Sequence, residues 1–310
     1  MKSELRDVSE AALRDVIARL GWDVRADLSV QPLGGGITNV NYRIQAGGQG
    51  LVVRFPGRGS EYLGIDRRCE HACSVAAHAS GVAPEVVAFF DDLGVLVTRF
   101  AAGDQVSEEA MRRPEMLRRV ARALRRYHDG PDFPRTFWPF QVVRDYLAAS
   151  APRGAPFPER FNWMLAEADR LEAALGPPAV ARPCHNDLLL ANFIDDRDRL
   201  WIIDWEYAAM GDPFFDLGNF AVHHQLTDAH EHALLGAYLG AVTPPATARL
   251  KLMKIISDLR EAMWAMVQVT ISTLDYDFVA YGQKHFDRYV AQLEDPRLPS
   301  WLADVRSPTS

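Results

Sequence analysis

Asp187, Asn192 and Asp204 fall in one short stretch, at spacings that can do chemistry. His185 opens an H-x-D-x-x-x-x-N pattern in which four residues separate Asp187 from Asn192. A polar turn, Asp195 to Arg199, and an apolar run, Leu200 to Ile203, then lead to Asp204. The pattern predicts a loop, a short strand, a hairpin turn and a second short strand that ends in a carboxylate. Two such strands bring Asp204 back beside Asn192. Phosphoryl transfer asks for this set, because it needs little covalent help and much positioning. Asp187 is suited to accept the proton of an attacking hydroxyl, while Asn192 and Asp204 offer the hard oxygens that suit Mg²⁺. His185 is expected to hydrogen-bond the loop backbone and fix its shape. A surface loop of ordinary Asp and Asn turn residues would explain the first pattern alone, but not the apolar run and Asp204 as well.

These residues need elements to hold them. Residues 28–33, 40–44 and 51–55 read as three strands, and residues 34–39, Gly34-Gly35-Gly36-Ile37-Thr38-Asn39, as the turn between the first two. That turn joins strands, unlike a dinucleotide-binding turn, which opens a helix. Its glycines let backbone N–H groups approach phosphates, and Thr38 and Asn39 add short polar side chains. Gly35, Gly36, Thr38 and Asn39 are therefore nucleotide candidates, with a plain glycine-rich hairpin as the alternative. Arg54 ends the third strand and presents a fork of donors to a phosphate. Glu70, on the following helical stretch, is its expected partner.

Further along, residues 3–20 read as a bracing helix and 85–100 as a strand hairpin. Residues 107–128 read as one basic helix, with a solvated arginine face and packing through Leu117, Val120, Ala121 and Leu124. Helices are expected at 141–150, 159–175, 249–273 and 274–293. Cys69 and Cys73 share a helix face while His71 points away, which favours buried cysteines over a zinc site. His223, His224, His230 and His232 read as exposed helix histidines.

HNDLLLANF and IIDWEYAAMGDPFFDLGNF resemble the choline/ethanolamine kinases within the aminoglycoside-phosphotransferase-like kinases. D-W-E at 204–206 stands where protein kinases have D-F-G. The D-x-E pair and F-D-L-G-N at 215–219 point to the bacterial choline kinase branch, and the resemblance spans roughly residues 30–290. It implies that Glu206 assists Asn192 and Asp204 at the metal, that Asp216 braces the catalytic loop, and that Arg54 replaces the protein-kinase lysine. It implies adenine bonds to the backbone of Phe100 and Ala101. It also matches Arg67 to an arginine of the family, whose role the sequence does not give. Tyr207, Trp264, Tyr276 and Tyr281 match aromatic positions of the headgroup pocket, where ring faces suit a quaternary ammonium without N–H groups. Glu261 departs from the family, which often has a tryptophan there, and would suit a primary ammonium such as ethanolamine.

Composition sets bounds. The 310 residues are 48% hydrophobic and 24% charged, ordinary for a globular protein, and the net charge of −7 argues against general nucleic-acid binding. No apolar run approaches the roughly 20 residues of a membrane span. The charged N-terminal pattern is unlike a signal peptide. Three cysteines give no disulfide framework and suit a reducing cytoplasm. The expected molecule is α+β with a two-lobed protein-kinase-like fold. A small antiparallel β lobe over residues 1–101 binds nucleotide, and a larger, mainly helical lobe over 102–310 carries catalysis and substrate. The expected reaction uses ATP and Mg²⁺ to phosphorylate the hydroxyl of an amino-alcohol, choline first. Ethanolamine, thiamine or an aminoglycoside in a kinase of the same fold, or a nucleotide-binding pseudokinase module, are the alternatives. A protein kinase fits less well, because no A-P-E element follows Asp204.

Overall fold

The computed structural model describes residues 8–21, 28–34, 38–46 and 48–306. Gly35 and Gly36 lie outside the described residues. Strands β1 (Ser29–Leu33), β2 (Asn39–Ala46), β3 (Gln49–Pro56), β4 (Val86–Phe90) and β5 (Val95–Arg99) form an antiparallel sheet in the order β1-β2-β3-β5-β4. Pro32 is tolerated because β1 is an edge strand. Successive side chains point to opposite faces. Leu51, Val53 and Phe55 of β3, with Val95 and Val97 of β5, meet Val16 and Ile17 of helix α1 (Glu10–Arg19) in one core. The alternate residues, Asn41, Val52, Arg54, Leu96 and Thr98, line a cleft on the opposite face. Strand parity thus puts Arg54 in the cleft. Helix α2 (Arg67–Ala79) follows, its first turn capped by Asp66, whose carboxylate accepts the Arg68 and Cys69 N–H groups.

The larger part is mainly helical: α3 (Glu108–Met111), α4 (Pro114–His128), α5 (Pro139–Ser150), α6 (Phe161–Leu175), α7 (Pro213–His223), α8 (Asp228–Leu239), α9 (Pro244–Ile271), α10 (Phe278–Leu293) and α11 (Leu298–Asp304). Five short strands, β6 (Asp104–Gln105), β7 (Arg182–Cys184), β8 (Phe193–Asp195), β9 (Leu200–Ile202) and β10 (Ala209–Gly211), pair as β6-β8-β9 and β10-β7. At 28 residues α9 is about 42 Å long. It is apolar around most of its circumference, and α5, α7, α10 and α11 cover it. Gly218 lets α7 press against it: a Cβ there would lie 2.6 Å from the Lys254 nitrogen. This is the expected kinase-like architecture, a small antiparallel sheet beside a larger helical part.

Several boundaries differ from the sequence expectation. The first helix begins at Glu10, because the Ser9 hydroxyl caps the Ala12 N–H. The basic stretch is two helices. Pro114 lacks an N–H and disfavours a helical Arg113, which sits at φ −68°, ψ 140°. The last long helix starts at Phe278, where Asp277 caps the Ala280 N–H at 2.8 Å. The histidine cluster is not a set of exposed residues. His224 is buried, His223 is half-buried and His230 completes the capping box of α8, leaving His232 exposed.

Candidate active site

The loop between β7 and β8 carries His185, Asp187 and Asn192. Helix α7 holds it from below. Asp216, fully buried, accepts the backbone N–H groups of His185 (2.8 Å) and Asn186 (2.7 Å), the Tyr127 hydroxyl (2.6 Å) and His128 Nε2 (3.0 Å). Burial works against its charge, but the His128 and Tyr127 bonds hold its pKa below the usual carboxylate range. One turn on, the Asn219 side chain accepts the Leu188 N–H at 2.6 Å and donates to Ser257 of α9 at 3.0 Å. His224 Nε2 meets the Leu188 carbonyl at 3.1 Å. His185 does what the sequence suggested. Its Nδ1 accepts the Asp187 N–H (3.2 Å), so Nε2 carries the proton donated to the Ile203 carbonyl (3.0 Å), and burial lowers its pKa. Asn186 and Asp204 both sit at positive φ, 66° and 70°, a region that Asn and Asp tolerate better than most side chains.

Asn192 donates from Nδ2 to the Asp187 carbonyl at 2.8 Å, which leaves its Oδ1 for other partners. Asp204 follows β9 and accepts Arg54 Nη1 on Oδ1 at 2.8 Å, leaving Oδ2. Both line the cleft under the sheet, a cavity of ≈ 430 Å³ with Arg54, Ala101 and apolar walls from Val52, Leu96 and Ile203. Its size is in the usual range for a small-molecule site. Arg54 also bonds Glu70, as expected. Phe100 and Ala101 reach the cleft, but the Phe100 N–H is already given to the Gly50 carbonyl at 2.9 Å. Of the two amides only that of Ala101 lacks an acceptor among the described residues, so of the two N–H groups only its own is left for the expected adenine contact.

Thr38, Asn39 and Glu206 are placed differently from the expectation. The Thr38 hydroxyl donates to Glu206 Oε1 (2.6 Å), Asn39 Nδ2 to Oε2 (2.8 Å), and Arg67 Nη1 to Oε2 (3.0 Å). Both oxygens of Glu206 are engaged, and in this arrangement it ties Thr38 and Asn39 to the catalytic segment. Burial, with the charges of Asp204 and Glu70, pushes its pKa up to about 7 against the pull of Arg54 and Arg67. Arg67 bridges Glu206 and Glu70, the latter at 2.7 Å, a role its sequence position did not reveal.

On the other side of Asp187 stand the expected acceptor residues. Trp264 Nε1 donates to the Tyr207 hydroxyl (3.0 Å), and the Tyr281 hydroxyl donates to Glu261 Oε1 (2.7 Å). The Trp264 and Tyr281 rings lie edge to face at 6.0 Å. Tyr276 is 48% exposed in the loop before α10 and borders the group at most. Glu261 is not a free carboxylate: it is buried and also takes Arg260 Nη1 at 2.9 Å. Burial would raise its pKa, but Arg260, His223, His285 and the Tyr281 bond lower it to about 2. Arg260, 1% exposed, also lies 3.6 Å from Asp187 Oδ1. Burial raises the Asp187 pKa well above the ordinary value, with Glu261 adding and Arg260 opposing. A second cavity of ≈ 380 Å³ reaches Tyr207 and Glu206 from Tyr62, Trp138 and Tyr146; Glu261, Trp264, Tyr276 and Tyr281 do not line it.

Sequence reasoning missed Arg260, His224 and Asn219. Asn219 was in the quoted F-D-L-G-N, and Arg260 stands beside Glu261 on a helix with apolar residues all round, which is itself a signal that a charge is buried. Cys69 and Cys73 are buried as expected, both near the Ala208 carbonyl.

Residues 29–252 match the profile of the phosphotransferase enzyme family. The chain is similar to the probable ethanolamine kinase A of Dictyostelium discoideum, 29% identical over 311 residues that cover 85% of this chain and 85% of that protein. It is also similar to protein LicA of Haemophilus influenzae, 26% identical over 276 residues, covering 84% and 79%. Among solved structures, a choline/ethanolamine kinase family protein from Mesorhizobium loti matches with a TM-score of 0.80 at 31% identity, over 95% of this chain and 99% of that one.

Proposed function

The chain belongs to the phosphotransferase enzyme family, among the choline/ethanolamine kinases, and from that premise we propose that it moves the γ-phosphate of ATP to the hydroxyl of a small amino-alcohol. One observation carries the reading. Asp187 stands between two different surroundings, with Asn192 on its backbone carbonyl and the Arg260–Glu261 pair of the aromatic group near its carboxylate. The first side opens on the nucleotide-sized cleft, and the second offers the rings of Tyr207, Trp264 and Tyr281 beside the Asp187 carboxylate to an ammonium. The boundary between a nucleotide lobe, 1–101, and a catalytic lobe, 102–310, belongs to this reading.

Asp187 takes the proton of the acceptor hydroxyl as the oxygen attacks the γ-phosphorus and the β–γ bond breaks, releasing ADP. A raised pKa makes it a better base than an ordinary aspartate. Arg54, set by Glu70, holds phosphate oxygens, and Ala101 offers its N–H to the base. Asn192 Oδ1 and Asp204 Oδ2 are hard oxygens left without protein donors on one cleft wall, a donor set that fits Mg²⁺. When bound, that ion supplies neutralisation of charge on the β- and γ-oxygens. His185 keeps the loop shape and does not touch substrate.

The test is ADP release from ATP with choline, ethanolamine, thiamine or kanamycin, with Asp187→Ala as control. We expect turnover on an amino-alcohol, and a fall in kcat of about 10²–10⁴ in the variant with nucleotide affinity nearly unchanged. Equal losses of rate and ATP affinity would remove Asp187 from the role of base. Bound ATP with no turnover on any alcohol would favour a nucleotide-binding module.

A further inference from the structure

We infer that Arg260 decides which ammonium the acceptor site admits: its guanidinium occupies the Tyr207 ring face as an internal cation, so that the site takes a primary ammonium and turns away a trimethylammonium. The inference rests on the reading of this region as the site of an amino-alcohol.

The guanidinium carbon lies 4.5 Å from the centre of the Tyr207 ring. Tyr207 is pinned in that pose by the Trp264 bond, and Glu261 holds the guanidinium from the side at 2.9 Å. The ring face that a trimethylammonium would use is thus taken by a charge of the same sign. A trimethylammonium has no N–H and depends on such faces. To reach this one it would have to expel Arg260, which would leave Glu261 a buried carboxylate without its cation. A primary ammonium has three donors and does not need the ring. It can bond Asp187 while Arg260 stays on Glu261. Arg260 is also poorly satisfied as a structural residue: its Nε and Nη2 have no hydrogen-bond partner among the described residues. A guanidinium kept only for stability would be expected to use those donors.

The test compares wild type with Arg260→Met and with Arg260→Met/Glu261→Gln, the second removing both charges so that no orphan carboxylate threatens folding. Two readouts are taken on the full-length chain: kcat/KM for ethanolamine and choline, and binding of tetramethylammonium by ligand-observed NMR. We expect wild type to prefer ethanolamine and to bind tetramethylammonium weakly or not at all. In the variants the ethanolamine-to-choline ratio should fall by about tenfold or more, and tetramethylammonium should bind. An unchanged ratio, a parallel loss of both acceptors without tetramethylammonium binding, or strong tetramethylammonium binding by wild type would overturn the inference. If wild type phosphorylates neither amino-alcohol, the proposed function fails, and the tetramethylammonium arm still decides the role of Arg260.

Discussion

Glu206 gathers three donors, from Thr38, Asn39 and Arg67, and yet its pKa rises to about 7 because burial and two neighbouring carboxylates outweigh two arginines. Its ordinary value is 4.5. Between these values the folded chain holds a proton that the unfolded chain has released. The group's contribution is therefore full below the unfolded pKa and is lost as pH rises through about 7. Denaturant unfolding without nucleotide, from about pH 5 to pH 8, should show wild type losing stability relative to Glu206→Gln by up to about 1.4 kcal/mol per pH unit. A difference that is flat across the window would remove the buried carboxylate from the account. At this scale the sequence showed which residues matter better than what they touch. Spacing named His185, Asp187, Asn192 and Asp204, and the family resemblance added Glu206. The sequence could not show that Glu206 spends both oxygens on residues of the small sheet and α2, since that depends on chain segments far apart in sequence.

Helix α7 does for the catalytic loop what the loop cannot do for itself. Asp216, Asn219 and His224 lie on or just after it and together bond the backbone at His185, Asn186 and Leu188. Those bonds need α7 seated hard against α9, and Gly218 is the residue that permits it. Gly218→Ala would put a methyl 2.6 Å from backbone, so α7 must move away from Lys254. We expect a loss of about 1–3 kcal/mol in stability and a fall in kcat beyond what a remote destabilising change causes, because Asn219 and Asp216 move with the helix. Thermal unfolding and turnover of the variant check this; a stable variant with full kcat would show that α7 is not the loop's anchor. Elements with a strong period, such as the five strands and the long apolar α9, were legible in the sequence. The failures fall where local chemistry overrides a pattern: Pro114 splits the basic helix, and Asp277 caps α10 after Tyr276, so that the helix starts at Phe278 rather than Leu274. The α7 histidines escaped because periodicity shows which residues share a face and not that this face meets the catalytic loop.

Across the whole molecule, the small sheet and the helical part are joined by a chain of charges at the site, beside an apolar core in which Cys69, Cys73 and Ala77 of α2 pack with Leu188, Ile202 and Trp205. Glu70 takes Arg54 and Arg67 within the small lobe. Arg54 crosses to Asp204, Arg67 crosses to Glu206, and Glu206 returns to Thr38 and Asn39 beside the glycine-rich turn. The crossings from Arg54, Thr38 and Asn39 join residues expected to meet phosphate with the catalytic segment, so the placement of the two parts and the shape of the phosphate site are one variable. Arg67 sits in this chain without lining the nucleotide cleft, which makes it the residue to perturb. Arg67→Met leaves Glu206 with its two neutral donors and only the more distant charge of Arg54, and it frees Glu70 to hold Arg54 alone. We expect KM for ATP to rise several-fold while KM for the acceptor changes little, and amide exchange to speed up in β2 and β3 and not in α9. The opposite split, a raised acceptor KM with ATP unaffected, would mean that the charge chain serves the acceptor side. Because Arg54 is shared between Asp204 and the expected phosphates, the same chain explains why closing the lobes and loading the nucleotide should be coupled: a phosphate that draws Arg54 weakens the Arg54–Asp204 crossing, and Arg67–Glu206 is then the ionic contact that keeps the lobes in register.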